Sequence, residues 1–303
     1  MRIVASGLEF PEGPIALSDG SLLLVEIARQ TLTRITPSGH LEKIAEIPGG
    51  PNGAAIGPDG LVYVCNNGGF NWVREGATLR PHLQADAYRG GSIDVVDLQT
   101  GQVRCLYDRC GPHRLKGPND LVFDAHGGFW FTDIGKRRER DQDRGFVYWA
   151  RADGSEIREV IAGMLSPNGI ALSPDGQRLY VAETDTGRLW YWDITGPGML
   201  RKRAWPAHYG ATLLAAAPGC GRFDSMAVSA SGRVCVAALS DCAIFETPAD
   251  GAWTRSHPVP DLAVTNLCFG GADLCTAYVT MSYEGKVAAM DWHEPGLALN
   301  FHL

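Results

Sequence analysis

The chain has 303 residues, of which 45% are hydrophobic and 20% charged, and its formal net charge is -7 at pH 7. This composition excludes global disorder, and the acidic balance argues against a nucleic-acid partner, whose phosphates require a basic surface. No apolar run is long enough to predict a membrane span, the N-terminus lacks a secretory pattern, and the eight cysteines lack zinc-type spacing. We therefore expect a cytoplasmic protein with reduced cysteines that binds neither nucleic acid nor membrane.

Six short segments of the chain resemble one another. Each has an oxygen-bearing side chain at its second position, then an apolar stretch, a turn and a second apolar stretch, which predicts two strands joined by a turn. The segments are PEGPIALSDG from Pro11, PNGAAIGPDG from Pro51, PNDLVFDAHG from Pro118, PNGIALSPDG from Pro167, FDSMAVSASG from Phe223 and TNLCFGGADL from Thr265. A third and a fourth strand follow most pairs, and four antiparallel strands per repeat of roughly 40–50 residues predict propeller blades.

The two ends of the chain predict how the ring of blades closes. Residues 1–8 resemble the stretch ahead of Asn168 and correspond to a fourth strand without its first three, whereas the last repeat contains only three strands. We expect the N-terminal strand to complete the sixth blade, which removes two exposed sheet edges. The sequence thus predicts an all-β fold, a six-bladed β-propeller with four antiparallel strands per blade, formed by residues 1–303 as a single domain.

The second positions of the six segments share a chemistry, since all of them carry oxygen donors. They are Glu12, Asn52, Asn119, Asn168, Asp224 and Asn266. The first strand of each blade lines the central channel, so these side chains should face one another at one mouth. Buried carboxylates are costly unless a cation neutralises them, and oxygen ligands favour hard cations. For the asparagines, ordinary turn chemistry is the competing interpretation.

The strand order also predicts where the long insertions lie. Connections from second to third strands, and from fourth strands to the next blade, meet at the mouth where the first strands begin. The insertions assigned to this mouth are Asn66–Gly90, Asp108–Gly117, Asp133–Arg144 and Trp205–Arg222. Elaboration of one face marks a binding face. In the first insertion Phe70, Trp72, His82 and Tyr88 either form a wall over the channel or pack the loop onto blade two, and the basic run 136–140 is either a solvated loop or an attractor of anionic substrates.

The motifs PEGP, GPNDLVFD, SPNGIALSPDG with the following LYVAET, FDSMAV and TNLCFGG resemble the gluconolactonase/regucalcin (senescence marker protein) family along essentially the whole chain. The resemblance implies a propeller lactonase with one divalent metal in the channel, Ca²⁺ foremost, with Mg²⁺, Mn²⁺ or Zn²⁺ as alternatives. The family's metal ligands fall on Glu12, Asn168 and Asp224, and its proposed proton donor and acceptor falls on Asp224. Its substrate-contacting asparagine falls on Asn119.

One position departs from the family pattern. Animal members carry an arginine two residues before the Asn-Asp pair, where this sequence has Gly117. The candidates to contact substrate in place of that arginine are Lys116, His113 and Arg114. Trp72, from the long insertion, is a further candidate.

These observations lead to an expected function. We expect a metal-dependent hydrolase that opens small lactones, either sugar lactones or related cyclic esters, with a metal-activated water whose proton Asp224 accepts. No GxSxG motif supports an acyl-enzyme route. The alternatives are a metal-dependent propeller hydrolase of phosphotriesters or aryl esters, because fold does not decide chemistry, and a non-enzymatic metal-binding scaffold, against which Glu12 and Asp224 argue. The expected partner is a small-molecule lactone, and the sequence makes no prediction of the oligomeric state.

Overall fold

The computed structural model describes residues 1–301. These residues form six antiparallel sheets of four or five strands and two small separate hairpins. Each sheet uses its strands in the order in which they follow along the chain, apart from the sheet that contains the N-terminal strand. The arrangement is a six-bladed β-propeller, and the fold predicted from the repeats is confirmed.

The first three blades correspond to the first three repeated segments. The chain begins with β1 (Arg2–Ser6), and blade one consists of β2 (Pro11–Ala16), β3 (Leu22–Glu26), β4 (Thr31–Ile35) and β5 (Leu41–Glu46). Blade two consists of β6 (Pro51–Ile56), β7 (Val62–Asn66), β10 (Ser92–Val96) and β11 (Val103–Tyr107), with the hairpin of β8 (Phe70–Glu75) and β9 (Thr78–Gln84) inserted after β7. A second hairpin consists of β12 (Arg109–Cys110) and β13 (His113–Arg114). Blade three consists of β14 (Pro118–Phe123), β15 (Gly128–Asp133), β16 (Gly145–Arg151) and β17 (Ile157–Met164).

The last three blades follow in the same manner. Blade four consists of β18 (Pro167–Leu172), β19 (Arg178–Glu183), β20 (Arg188–Gly196), β21 (Met199–Arg201) and β22 (Thr212–Ala216), with a short 3₁₀ turn at His208–Gly210. Blade five consists of β23 (Arg222–Val228), β24 (Val234–Leu239), β25 (Ala243–Thr247) and β26 (Arg255–Pro258). Blade six consists of β27 (Val264–Gly270), β28 (Thr276–Met281), β29 (Lys286–Asp291) and β1.

The N-terminal strand closes the ring. Strand β1 pairs antiparallel with β29, and Arg2 lies opposite Ala289 while Ser6 lies opposite Lys286. The fourth strand of the last blade therefore comes from the other end of the chain, as the sequence predicts. Pairing the two ends covers the edge that β29 would otherwise expose, and β1 becomes the outer strand of blade six.

The blades pack against one another through large apolar side chains in their middle strands. Between blades three and four, Trp130, Trp149 and Trp192 are almost completely buried in one cluster. These strands are nearly continuous apolar runs because both of their faces are covered by neighbouring blades. Burial of side chains of this size is worth roughly 1.5–3 kcal/mol each, which fixes the blades and so the channel between them.

Blade four departs from the prediction at its outer edge. The sequence predicts a mouth loop over Trp205–Arg222, but the structure places strand β22 inside that segment. Strand β21 pairs with one end of β20, around Asp193, and β22 pairs with the other end, around Arg188. The fourth-strand position is thus shared by the two short strands β21 and β22. The residues that connect them, 202–211, lie outside the sheet.

The channel has two different ends. The first strands begin at a polar mouth and run towards an apolar cavity of about 540 Å³. Residues 297–301 contribute to the lining of that cavity, and the Asn300 side-chain amide donates a hydrogen bond to the Phe123 carbonyl at 2.8 Å.

Within residues 1–301 the structure contains no long apolar helix of the kind that crosses a lipid bilayer.

Candidate active site

The six ring positions lie at or near the starts of the first strands of the blades. Glu12, Asn119 and Asn168 are each no more than 4% exposed, and Asp224 is partly exposed. The structure thus brings the predicted metal ligands and the predicted substrate-binding asparagine to one end of the channel. The mouth is therefore lined by oxygen-bearing side chains, as the repeat pattern predicts.

Glycines beside the ring residues allow the first strands to approach closely. A Cβ atom on Gly13 would lie 2.6 Å from the Asn52 carbonyl oxygen, and one on Gly169 would lie 2.6 Å from the Asp224 carbonyl oxygen. Contacts this short are not available to any residue with a side chain. The glycine of the Pro-Glu-Gly and Pro-Asn-Gly motifs is consequently required for packing in the narrow channel, and the residue before it supplies the side chain of the site.

The ring is tied together across the closure of the propeller. The Glu12 carboxylate accepts hydrogen bonds from the Gly13 backbone N–H at 2.9 Å and from the Asn266 side-chain amide at 2.8 Å. Glu12 and Asn266 come from blades one and six, at opposite ends of the chain. Their contact fixes one carboxylate oxygen towards the protein, so Asn266 positions Glu12.

Asn119 and Asn168 differ in how their side-chain oxygens are satisfied. The Asn168 oxygen accepts a long hydrogen bond of 3.4 Å from the Ser225 hydroxyl. The Asn119 oxygen is buried and has no hydrogen-bond partner within residues 1–301. A buried polar atom without a partner is costly, and at this position it indicates that a ligand completes the site.

Asp120 is a member of this site that the sequence reasoning missed. Its side chain is buried at the channel, one oxygen accepts the Leu121 N–H at 2.9 Å, and a Cβ on Gly53 would lie 2.6 Å from that same oxygen. The signal was present in the sequence, because Asp120 occupies the third segment position where blades one, two and four have glycine. A third carboxyl group therefore joins Glu12 and Asp224.

Burial raises the pKa values of all three carboxyl groups, and repulsion from Glu12 adds to the shift of the two aspartates. Burial raises the pKa of Glu12, and burial followed by repulsion from Glu12 raises the pKa of Asp224 well above its usual value. Burial and repulsion from Glu12 raise the pKa of Asp120 to about 7. Within the described chain none of the three forms an ion pair with Lys or Arg. Neutralisation by a cation would remove this repulsion.

The donor set fits a hard divalent cation. All candidate ligand atoms are carboxylate or amide oxygens, which is the set that Ca²⁺ and Mg²⁺ prefer. Glu12, Asp120 and Asp224 do not bring one oxygen each to within 4.8 Å of the other two. An amide oxygen such as that of Asn168 is therefore needed to complete a coordination shell, and the unpartnered Asn119 oxygen is available to a further ligand.

The hairpin of β8 and β9 lies over this end of the channel. Trp72 packs with its ring 5.2 Å from that of Phe10, two residues before Glu12. Near the tip, the Leu79 N–H donates to the Tyr283 carbonyl in blade six at 3.0 Å, and at the base the Gln84 N–H donates to the Arg137 carbonyl in the blade-three loop at 2.9 Å. The insertion thus contacts several blades around the mouth instead of packing on blade two alone.

Lys136 holds the base of this hairpin. Its ammonium group is buried, donates to the carbonyls of Asn67 and Gly69 at 2.9 and 2.7 Å, and lies 4.2 Å from the centre of the Phe70 ring. Burial lowers the pKa of this side chain to about 7. Lys136, the first residue of the basic run 136–140, therefore packs inside the mouth. It is neither part of a solvated loop nor an exposed group that could attract an anionic substrate.

Two of the three basic candidates ahead of the Asn-Asp pair, Lys116 and His113, occupy different places. Lys116 is half-exposed and forms an ion pair with Asp143 of the blade-three loop, and its backbone N–H donates to Asp133 at 2.7 Å. His113 lies in the small hairpin opposite Cys110, whose thiol contacts the Ile157 carbonyl on the outermost strand of blade three. The structure therefore keeps Lys116 beside the loops of the mouth and places His113 at the outer edge of a blade.

The fold and the site together define a class: a six-bladed propeller whose channel mouth carries buried carboxyl and amide oxygens under an inserted hairpin. A family model described as "SMP-30/Gluconolactonase/LRE-like region" matches residues 10–283. The chain belongs to this family.

Two groups of curated proteins are similar in sequence. The gluconolactonase of Zymomonas mobilis is 26% identical over 297 residues, which cover 89% of this chain and 76% of that protein. The lactonase drp35 of Staphylococcus aureus strain USA300 is 30% identical over 191 residues, which cover 62% of this chain and 52% of that protein. The match to drp35 therefore spans about half of that relative.

Solved structures share the fold. A gluconolactonase from Xanthomonas campestris superposes with a TM-score of 0.74 at 21% identity, covering 95% of this chain and 88% of its own. The calcium-binding protein regucalcin from Agrobacterium tumefaciens superposes with a TM-score of 0.75 at 18% identity, covering 98% of this chain and 97% of its own. At these identities the likeness supports the architecture of the propeller.

Proposed function

We propose that this protein is a lactonase that depends on one divalent cation, Ca²⁺ foremost, held at the channel mouth by Glu12, Asn168 and Asp224. One observation carries the proposal: the carboxyl groups of Glu12, Asp120 and Asp224 and the unpartnered oxygen of Asn119 line the mouth without a paired cationic side chain in the described residues. The names of the gluconolactonase and lactonase relatives support a lactone as substrate. The calcium-binding regucalcin neighbour supports the choice of Ca²⁺.

The side chains at the mouth divide the work of hydrolysis. When bound, a divalent cation supplies charge that neutralises the ring carboxylates and polarises a lactone carbonyl as a Lewis acid. Asp224 accepts the proton of the attacking water at its carboxylate and returns it to the alkoxide that leaves when the ring opens. Asp224 suits this role because it is the partly exposed carboxylate of the three and can reach the solvent side of the mouth.

Other residues orient the substrate. The Asn119 oxygen accepts a hydroxyl hydrogen bond that no described residue offers it. Lys116 stands at the mouth where it can exchange Asp143 for a polar group of the substrate. Trp72, packed on Phe10, gives the pocket an apolar wall, and such a wall selects substrates by shape.

Metal stripping and restoration test the proposal. We expect chelator treatment to abolish lactone hydrolysis, and Ca²⁺, or less effectively Mg²⁺, Mn²⁺ or Zn²⁺, to restore it. Sugar and non-sugar lactones, an aryl ester and a phosphotriester are assayed in parallel with the same preparations. Full lactonase activity in chelator would overturn the metal dependence, and faster turnover of the phosphotriester or aryl ester than of every lactone would overturn the substrate assignment.

A further inference from the structure

A second cluster of metal-ligating side chains lies far from the ring, where blades five and six meet. Glu246 on β25 is completely buried, His257 on β26 is partly exposed, and His293 follows β29. One ligand atom from each lies within 4.8 Å of the other two. Third strands end on the face opposite the mouth, so this cluster belongs to the lower face of the propeller.

The contacts within the cluster resemble those of ligands around a common centre. The His257 Nε2 atom lies 2.8 Å from one Glu246 oxygen, and the His293 Nε2 atom lies 3.0 Å from the other. Ligand atoms of a tetrahedral zinc site with bonds of about 2.0 Å lie roughly 3.3 Å apart. The two separations are therefore within about half an ångström of those in a closed site.

A cationic group already lies beside the ligand atoms of this cluster. The Arg233 guanidinium is 2.8 Å from His293 Nε2 and 3.4 Å from the Glu246 oxygen that lies 3.0 Å from the same nitrogen. When the nitrogen accepts from the guanidinium, it and this carboxylate oxygen face each other as two hydrogen-bond acceptors. A metal ion could take the place of the guanidinium between them.

Arg233 keeps a partner when a metal enters. Its guanidinium forms ion pairs with the buried Oε1 atom of Glu294 at 3.2 Å and with Glu246 at 3.4 Å. The Arg233 side chain is 31% exposed. Arg233 is thus shared between Glu246 and Glu294, and it can retain Glu294 when a metal takes its place beside Glu246.

We propose that Glu246, His257 and His293 form a second metal site, which takes a borderline transition metal such as Zn²⁺. Two imidazole nitrogens and one carboxylate suit zinc, whereas the all-oxygen ring at the mouth suits calcium. His293 begins the segment that crosses the lower face, where Gly296 bridges to Ser229 and the Leu297 N–H donates to the Val228 carbonyl. A metal here would join the outer strands of blade five to that segment and stabilise it.

Separate titrations with the two metals test this site. Metal-stripped full-length protein is titrated with Zn²⁺ alone and with Ca²⁺ alone, and its thermal unfolding is recorded with and without each metal. We expect one tight Zn²⁺ equivalent that raises the unfolding temperature. In the double variant His257→Asn/His293→Asn we expect Zn²⁺ affinity to fall on the order of 100-fold, since two of three ligands are lost, with Ca²⁺ binding unchanged.

Three controls keep the result interpretable. His40→Asn removes an exposed histidine of blade one and should leave Zn²⁺ affinity unchanged. Substitution by Co²⁺ should give the strong visible bands of a four-coordinate nitrogen and oxygen site without a thiolate band, which separates this cluster from the eight cysteines. His293→Asn alone, at the most exposed ligand, serves if the double variant does not fold.

The outcomes decide the proposal. No Zn²⁺ uptake by the wild type, equal uptake by the histidine variants, or a thiolate band in the Co²⁺ spectrum would overturn the site. Arg233→Gln should bind Zn²⁺ more tightly than the wild type because the competing guanidinium is gone, and weaker or equal binding would overturn the exchange of Arg233 for the metal. None of these measurements depends on lactone hydrolysis.

Discussion

The two ends of the channel are built from the same six strands and have opposite chemistry. At the mouth, the strands begin with buried carboxyl and amide side chains such as Glu12 and Asn168. The carboxyl groups repel one another, and the Asn168 oxygen has only a long hydrogen bond. Further along the same strands, Ile15, Ile56 and Ile170 line an apolar cavity. Position along the strand, more than the identity of the strand, separates the candidate site from the core.

The difference has an energetic meaning. Apolar side chains at the lower end gain from leaving water, whereas burying carboxyl groups at the upper end costs free energy unless they are compensated. Buried carboxyl and amide side chains are unfavourable for folding, yet they occur all around the ring. This indicates that they bind a ligand. Substitutions at the two ends should consequently separate function from stability, and the following expectations test that separation in order of decreasing effect.

The largest effect is expected at Asp224. Asp224→Asn should lower lactone turnover about 10²–10⁴-fold, which is the usual contribution of a positioned general acid–base group, and should exceed the loss in Asn119→Ala, which removes only orientation. Steady-state rates with saturating metal, together with far-UV circular dichroism, provide the measurement. Near-normal turnover of Asp224→Asn with metal bound would mean that another group accepts the proton.

A smaller effect is expected on metal affinity at Glu12. Glu12→Gln keeps the shape of the side chain but removes one negative charge, so Ca²⁺ should bind about tenfold more weakly or worse, equivalent to at least about 1.4 kcal/mol. Calorimetric titration measures this, with Asn52→Ala as the matched ring control that should retain most of the affinity. An unchanged dissociation constant in Glu12→Gln would exclude this carboxylate as a ligand.

The hairpin over the mouth should govern selectivity. Trp72→Ala removes the ring that packs on Phe10, and relative rates among lactones of different shape should change by up to roughly tenfold, the scale of one apolar contact in a pocket. Metal affinity should stay the same. If every lactone slows by one common factor, or if only the unfolding temperature falls, Trp72 packs the hairpin without contacting substrate.

The smallest effect is expected at the lower end of the channel. Ile170→Val enlarges the apolar cavity by one methyl group and should cost about 1 kcal/mol of unfolding free energy. Turnover and Ca²⁺ affinity should not change, because the residue lies on the apolar part of its strand. Denaturant unfolding measures the stability cost, and a parallel loss of metal affinity would show that the two ends of the channel are coupled.

Local patterns in the sequence were sufficient for much of this molecule. The alternation of turn residues with apolar runs determined the six blades, and the second position of each repeat determined Glu12, Asn119, Asn168 and Asp224 as ring residues. The incomplete first and last repeats determined that β1 pairs with β29. Each of these features depends on residues close together in the chain, or on a repeat that multiplies one local signal.

Only the tertiary structure decided the features that join distant segments. It placed Asp120 beside Gly53 of the preceding blade, buried Lys136 against Asn67 and Gly69, and directed His113 to an outer edge. It also divided the fourth strand of blade four and gathered Glu246, His257 and His293. The physical reason is that burial and charge repulsion depend on which blades become neighbours, and no local pattern encodes the distance between side chains that belong to different blades.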